Sequence, residues 1–466
     1  MKKVSFLAVF LVVSSFVFAQ KIELKAKVDE RCELLSTVFR LIGAKEYVTQ
    51  DIPIYVDSLD KYFESYKNHE IIEYTKTFRE NFGVGYNAPM GLAVHLQIID
   101  GKISLIPNVK ENSLDSRWNK DYLPRFIELL NNFYTTTMFR DFLVSQSDFV
   151  EKVEQTATEY FSRINMEWYK NFYGEVPEGN FNLVISLSNG PNNYGPKVEY
   201  IDGKEELYSI TTCAIDSLNN PYFSDHWALD LIIHEFCHSF CNHLIFENFE
   251  KMKKKADEFY KIKQNVFNRQ AYGSSQTMLC EILVRASVIK YMADHYPANL
   301  EKYFSKEKSR GFIWIEELYN SLLNYEQNRD KYPTLKSYMP EIVKVLNTLN
   351  PKKMVKEQEK LMPKMSIANI KNNAKDVDAV TTTQIIVKFD KKMSTRANGS
   401  TYGTKGKEYF PEVIGAKWNE ETKTEWILEV KLEPNKEYSI AFPAQWFFSE
   451  EGVNAKNTVY LDFKTK

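Results

Sequence analysis

One short motif constrains this chain more than any other feature. Residues 234–238 are His-Glu-Phe-Cys-His, and the surrounding stretch from Trp227 to Phe240 is apolar on nearly all sides. Two histidines at positions i and i+4 share one face of a helix, where their imidazoles can converge on one metal ion. A chance match on a surface helix is the alternative, but a buried helix carries such groups only where they are paired or ligated. The motif predicts a buried helix from about Asp225 to Phe249 with a zinc site on one face.

A third protein ligand is needed to leave one coordination position open for water. The extended motif would place a glycine and a third histidine at positions that hold Cys241 and Leu244 here, and His243 is out of phase with the other two. We therefore expect His243 to be a structural or surface residue and the third ligand to come from another helix.

Glu281 is the preferred third ligand, because it lies in the apolar stretch Met278-Leu-Cys-Glu-Ile-Leu-Val-Arg-Ala286, where a buried carboxylate requires a cation. Arg285, four residues later, offers a simple intrahelical ion pair instead. Both can hold together, with Arg285 orienting the ligand from behind. Glu258 is the rival, but it follows a lysine cluster that favours a solvated helix face.

The same region suggests the catalytic groups of a hydrolase. Zinc lowers the pKa of a bound water to about 7, and Glu235, next to the first histidine, can take its proton as general base. Tyr272 is a candidate for stabilising the oxyanion, and Tyr194, in an Asn/Gly-rich loop, is a candidate substrate-binding residue, although both also fit ordinary packing. Asp230, one turn before His234, is placed either to orient an imidazole or to face the positive end of the helix dipole.

The N-terminus predicts export. Lys2 and Lys3 precede an apolar run that ends in Val17-Phe18-Ala19, which is typical of a signal peptide, residues 1–19, cleaved before Gln20. The mature chain is then expected in the periplasm or outside the cell.

Composition excludes some partners. The 60 basic and 62 acidic residues leave a net charge of −2, which argues against a nucleic-acid-binding protein. No stretch after the signal peptide has the ~20 apolar residues of an integral membrane span. The 5 cysteines form an odd number, and Cys237 and Cys241 lie too close on one helix for a disulfide, so no disulfide framework is expected. A peptide or protein substrate remains the expected partner.

The periodicity of the chain predicts an α+β protein. Residues 20–175 are expected to be mainly helical, and 176–349 to form a zincin-like catalytic region with strands at 181–187 and 207–215. A connector is expected at 350–365. Alternation of apolar and polar residues then predicts strands of a small Ig-like sandwich within 366–466, at 383–389, 425–431, 437–442 and 458–463.

At residues 234–240, His-Glu-Phe-Cys-His-Ser-Phe, the sequence resembles a family of exported bacterial proteins of unknown function that carries an HEFxHSF zinc-peptidase signature. Glu281-Ile-Leu-Val-Arg-Ala286, Arg31-Cys-Glu-Leu-Leu-Ser36 and Tyr194-Gly195 are similar to that family as well. The resemblance covers roughly residues 25–345 and implies a gluzincin-like metallopeptidase, with two histidines and one glutamate on zinc. Cys237 stands where a small residue is expected. The region from about residue 366 resembles a bacterial Ig-like domain.

Two other hypotheses compete with a secreted zinc metallopeptidase. One is a non-catalytic extracytoplasmic binding protein that keeps a zinc site beside an Ig-like module, and the other is a structural protein of the cell envelope. Glu235 is the feature that favours the enzyme, because a site without turnover needs no base at that position.

Overall fold

The computed structural model describes residues 24–175, 179–224, 228–296 and 299–466, so the predicted signal peptide and the predicted helix start at Asp225 lie outside the described residues. The chain divides into two compact units. The first consists of Met1–Asn171 and Glu178–Leu229, and the second of Phe172–Pro177 and Asp230–Lys466.

The N-terminal part is mainly helical, as expected. Its helices are α1 (Glu30–Leu41), α2 (Pro53–Phe63), α3 (Glu70–Phe82), α4 (Asn87–His95), α5 (Leu123–Thr136), α6 (Phe139–Ser145), α7 (Ser147–Phe161) and α8 (Met166–Tyr173). Their apolar faces bury aromatic side chains such as Phe39, Phe63 and Phe133.

The strands of the first unit are β1 (Ala26–Lys27), β2 (Leu96–Ile99), β3 (Lys102–Leu105), β4 (Gly179–Ile185), β5 (Lys197–Glu199), β6 (Glu205–Thr211), β7 (Ala214–Ile215) and β8 (Pro221–Tyr222). Four of them form a sheet of order β1-β4-β6-β5, in which β1, β4 and β6 are parallel and β5 is antiparallel. The strand expected at 207–215 is interrupted after Thr211.

The boundary between the units differs from the expected one at residue 175. The strands from β4 to β8 group with the N-terminal helices, because β1 pairs with β4 through Ala26 and Leu183. The hairpin of β2 and β3 interrupts the predicted helical region, and Asp100-Gly101 forms its two-residue turn with φ of 48° and 76°. Such a pair is a strong hairpin signal, since both positions need positive φ.

The helices of the second unit are α9 (Asp230–Arg269), α10 (Ser275–His295), α11 (Leu300–Ser309), α12 (Ile315–Gln327), α13 (Leu335–Thr348) and α14 (Pro351–Leu361). The motif helix α9 runs on through the lysine-rich stretch and kinks at Lys263, where φ is −113°. The expected connector is largely α14, which Asn350 caps by accepting a hydrogen bond from the backbone N–H of Lys353.

Strands follow from residue 365: β9 (Met365–Ile367), β10 (Ala374–Val377), β11 (Gln384–Phe389), β12 (Thr401–Tyr402), β13 (Glu412–Trp418), β14 (Glu425–Lys431), β15 (Glu437–Phe442) and β16 (Val459–Thr465). They form two four-stranded sheets, β10-β16-β15-β12 and β13-β14-β11-β9. One buried cluster includes Val387 and Leu428 of the second sheet and Ile440 and Leu461 of the first. The four strands predicted here and the mixed α+β class are confirmed.

Candidate metal centre

The motif helix α9 presents its polar groups on one face. Asp230, His234, His238 and Asn242 follow one another at intervals of four residues, so they form a stripe along the helix. Apart from Glu235 and Ser239, most other residues of its first turns are buried and apolar, as are Ile233 and Phe236. Helix α9 is therefore held by its apolar faces while the stripe faces other groups.

Helix α10 supplies the carboxylate. The link after α9 turns at Ala271, with φ of 62°, and Ser274 caps α10 by accepting a hydrogen bond from the backbone N–H of Thr277. Helix α10 then packs along α9. This packing carries Glu281, seven residues beyond the cap, to the histidines.

His234, His238 and Glu281 lie together. The two histidine Nε2 atoms are 3.1 Å apart. Nε2 of His234 lies 3.5 Å from Oε2 of Glu281, and Nε2 of His238 lies 3.5 Å from Oε1 of the same carboxylate. The three side chains are only 16%, 23% and 10% exposed. One candidate ligand atom from each residue lies within 4.8 Å of the other two.

The donor chemistry fits a metal ion. Burial, followed by the positive charges of His238, Arg285 and Arg310, lowers the pKa of His234 well below its ordinary value. A neutral imidazole offers a lone pair to a cation, which is the form that a metal ligand needs. Two imidazole nitrogens and one carboxylate oxygen, all turned toward the same point, therefore form a set that could hold a metal ion.

Glu235 is half-buried next to this group. Its carboxylate makes no hydrogen bond or ion pair with the described residues. Burial raises the pKa of Glu235, His238 and Arg285 oppose the rise, and the charge of Glu281 adds to it. These causes show that Glu235 shares the electrostatic environment of the triad, and its raised pKa is the direction that proton transfer near neutral pH requires.

Arg285 joins Glu281 to two further residues. Its Nη2 lies 3.2 Å from Oε2 of Glu281 and donates to the hydroxyl of Tyr272 at 2.8 Å, while Nη1 donates to Oε2 of Glu307 at 2.9 Å. Burial alone would lower the pKa of Arg285, but Glu307, Tyr272 and Glu281 raise it above its ordinary value. The geometry thus allows Glu281 to contact Arg285 and both candidate histidine ligands at once. Tyr272 lies beside the triad.

Tyr272 remains protonated in these surroundings. Burial raises its pKa to about 12, with Arg285 opposing the rise and Glu281 adding to it. The Tyr272 hydroxyl oxygen accepts from Arg285, and a hydrogen bond from the same hydroxyl to Glu281 helps to raise its pKa.

Asn242 is a residue that the sequence reasoning missed. Its Oδ1 lies 3.1 Å from Nδ1 of His238, so the ring nitrogen can donate there and keep Nε2 free as a ligand atom. The four-residue stripe of α9 was the signal that could have found it. Glu307 was missed as well, because it stands in a helix rich in charged residues.

The remaining candidates are not members of the triad. The ammonium of Lys306 is 3.8 Å from the carboxylate of Asp230. His243 is 44% exposed and faces Glu175 at 3.9 Å, which agrees with its phase on the helix. Glu258 is exposed and forms an ion pair with Lys255 at 2.7 Å, so the rival ligand is turned to solvent. Tyr194 belongs to the first unit, where its ring is buried and its backbone pairs with Ile210.

Fold and site together define a mixed α+β protein with a candidate metal centre of two histidines and one glutamate. Residues 19–345 match the family model described as a domain of unknown function, DUF4932, and the chain belongs to this family. This match confirms the expected membership in a family of unknown function.

No curated protein matches the chain. Solved structures that match include the S-layer protein rSbsC(31-844), with 13% identity and a TM-score of 0.18 over 50% of this chain and 33% of that chain. Domains 1-6 of surface layer protein SbsC match with 15% identity and a TM-score of 0.18 over 51% and 33%. The chain thus spans about a third of either structure, and likeness at this level carries no argument about function. Within the described residues, none of the helices has the length and apolar character to cross a bilayer.

Proposed function

We propose that this protein is a zinc-dependent hydrolase of the metallopeptidase class. His234, His238 and Glu281 are the zinc ligands, and Glu235 is the general base. The observation that carries the proposal is the convergence of three candidate ligand atoms within 4.8 Å of one another. Two of them belong to helix α9, which also bears Glu235, and the third belongs to α10. Two imidazoles and one carboxylate are a typical ligand set of catalytic zinc.

Bound zinc would supply Lewis acidity for a substrate carbonyl and a lowered pKa for water. Glu235 accepts the proton of the attacking water and passes it to the leaving nitrogen of the peptide. Among the described residues no cation forms an ion pair with Glu235, which supports this role, since a carboxylate held by a cation is a weaker base. Tyr272 keeps its proton and donates a hydrogen bond to the developing oxyanion.

We further propose that the protein acts outside the cytoplasm, on the pattern of residues 1–19, and that the C-terminal strands form an Ig-like spacer. Extracellular peptides are then the substrates available to it.

The test uses the purified full-length chain, its metal content and a peptide library. We expect about one zinc ion per chain. Glu235→Gln is expected to keep the metal and abolish hydrolysis. Glu258→Gln, a matched change on the exposed side of the same helix, is expected to keep both. A wild-type chain without zinc would end the proposal, whereas zinc without hydrolysis would favour a non-catalytic binding protein.

A further inference from the structure

Helix α11 contacts both helices of the candidate metal centre. Two adjacent residues make these contacts. Lys306 lies 3.8 Å from Asp230, at the start of α9, and Glu307 pairs with Arg285 of α10 at 2.9 Å. A helix with a strongly polar sequence thus sends one buried carboxylate toward the centre.

Arg285 stands between two carboxylates. Glu281 lies on one side at 3.2 Å and Glu307 on the other at 2.9 Å, and both the arginine and Glu307 are nearly buried, at 11% and 7% exposed. Because charges interact strongly in a buried setting, an uncompensated Arg285 would repel a cation that approaches Glu281 and compete with it for the carboxylate. Glu307 offsets the charge of Arg285 and so weakens this repulsion at the candidate metal position.

The contacts also fix geometry. The Arg285 guanidinium lies over the ring of Phe312, with its central carbon 4.7 Å from the ring centroid, and uses different nitrogens for Glu307 and Glu281. Arg310 binds the other oxygen of Glu307 at 3.2 Å, which fixes this carboxylate in turn. A guanidinium held in this way can orient the carboxylate on its far side.

We propose that Glu307 is a positioning residue of the metal centre, which holds Arg285 and offsets its positive charge so that Glu281 is oriented toward the cation and the cation is repelled less. This inference rests on the metal site of the proposed function and extends it to a helix that contributes no ligand.

The other half of α10 provides a matched control. Lys290 is buried and contacts Asp294, four residues along its own helix, and Glu326 of α12 at 2.8 Å. The arrangement repeats that of Arg285, which contacts Glu281 on its own helix and Glu307 on another. No residue of the triad takes part in it.

The experiment measures Zn²⁺ affinity of the full-length chain by competition with a chromophoric chelator, and follows thermal unfolding of the metal-free forms alongside. Glu307→Gln is expected to weaken zinc binding by about 10–100-fold, as outer partners of metal ligands do. Glu326→Gln is expected to change the zinc affinity by less than about twofold. The Lys290–Glu326 pair that it breaks includes no partner of the candidate ligands.

If Glu307 acts by offsetting charge, removal of Arg285 as well should raise the zinc affinity of Glu307→Gln, whereas a packing role predicts no such recovery. The double variant Arg285→Gln with Glu307→Gln is expected to bind Zn²⁺ more tightly than Glu307→Gln alone, because the uncompensated positive charge is gone. Glu307→Asp, which keeps the charge, is expected to retain part of the affinity even if Glu307→Gln folds poorly.

Wild-type affinity in Glu307→Gln, or no recovery in the double variant, would overturn the inference. A wild type that binds no zinc would overturn it together with the proposed function. A wild type that binds zinc and hydrolyses no peptide would overturn the function alone, and the affinity series would still decide the role of Glu307.

Discussion

Each compact unit buries a glutamate on a helix. In the first unit, Glu33 of α1 accepts hydrogen bonds from the hydroxyls of Ser186 and Ser188, at 2.7 and 2.8 Å, and from the backbone N–H of Leu187 at 2.7 Å. In the second unit, Glu281 of α10 faces two imidazole nitrogens, each 3.5 Å away, and Arg285.

The partners explain why one glutamate is structural and the other is a candidate ligand. Both oxygens of Glu33 are matched by donors that belong to the chain, so its hydrogen bonding is complete without any ligand. Burial lowers the pKa of His234, and its Nε2 faces Glu281, so the group gathers several electron-pair donors that could hold a metal ion in addition to the contact of Glu281 with Arg285. A buried carboxylate is therefore a candidate metal ligand where other possible ligand atoms face it.

Removal of the Glu33 side chain should give the largest effect. Glu33→Ala leaves three buried donors without an acceptor, and each such group costs about 1–3 kcal/mol. We expect the free energy of unfolding to fall by about 3 kcal/mol or more. Urea denaturation measures the loss, and an unchanged zinc stoichiometry would show that Glu33 has no part in the metal centre. A loss below about 1 kcal/mol would contradict its structural role.

Removal of the Glu281 carboxylate should act on metal binding instead. We expect Glu281→Ala to weaken Zn²⁺ binding by at least about 100-fold, or about 2.8 kcal/mol, since it deletes a ligand rather than an outer partner. Metal-free protein should lose far less stability than Glu33→Ala does. Isothermal titration with Zn²⁺ measures the zinc affinity, and denaturation in excess chelator measures the free energy of unfolding of the metal-free protein. Wild-type zinc affinity in this variant would move the third ligand to another residue.

A change in pH should separate the two glutamates further. Burial raises the pKa of Glu33, against the lowering effect of its hydrogen bonds from Ser186, Leu187 and Ser188. The folded state then holds the proton more tightly than the unfolded state. Stability is therefore full below the ordinary glutamate pKa and declines as pH rises from there through the raised folded value.

Glu33→Gln should remove this decline, because the amide does not titrate, and should cost less than Glu33→Ala because its oxygen still accepts hydrogen bonds. The measurement is the free energy of unfolding from pH 4 to pH 8 in the presence of chelator. A wild-type profile parallel to that of Glu33→Gln would exclude the raised pKa as a contribution to stability.

Loss of the Asn242 side chain should have a smaller effect on the metal centre. Asn242→Ala frees the Nδ1 atom of His238 and lets the ring change tautomer or turn, so we expect zinc affinity to fall by about 10-fold. Nitrogen chemical shifts of the His238 ring report the tautomer directly. If the tautomer and the affinity both stay as in the wild type, the hydrogen bond has no positioning role.

The candidate ligand set was predictable because its signals are local. The spacing of His234 and His238 follows from helix geometry, and Glu281 stood out as a carboxylate in an apolar stretch. Glu307 gave no such signal, since its helix is rich in lysine and glutamate, and only the structure shows that it is buried and paired with Arg285. Asn242 differs in this respect, because it continues the four-residue stripe of Asp230, His234 and His238 on α9.

The fold shows the same contrast between local and distant information. The bounds of the alternating strands β11 and β14–β16 were predicted to within two residues, because alternation is a local pattern. The grouping of β4–β8 with the N-terminal helices was not, since it depends on the pairing of Ala26 with Leu183 across more than a hundred residues of chain. The hairpin turn at Asp100-Gly101 was a local signal that went unused.

The phase of His243 is a local signal that can now be tested against its neighbour on the helix. His243 lies five residues after His238, and 44% of its side chain is exposed near Glu175. We expect His243→Ala to change zinc affinity by less than about twofold, whereas His238→Ala removes a ligand and should weaken it more than any loss of an outer partner. The same zinc titration measures both. A large loss of zinc affinity in His243→Ala would mean that the second ligand of α9 is not the residue at i+4. Glu281 would then share the metal with a different pair of imidazole nitrogens.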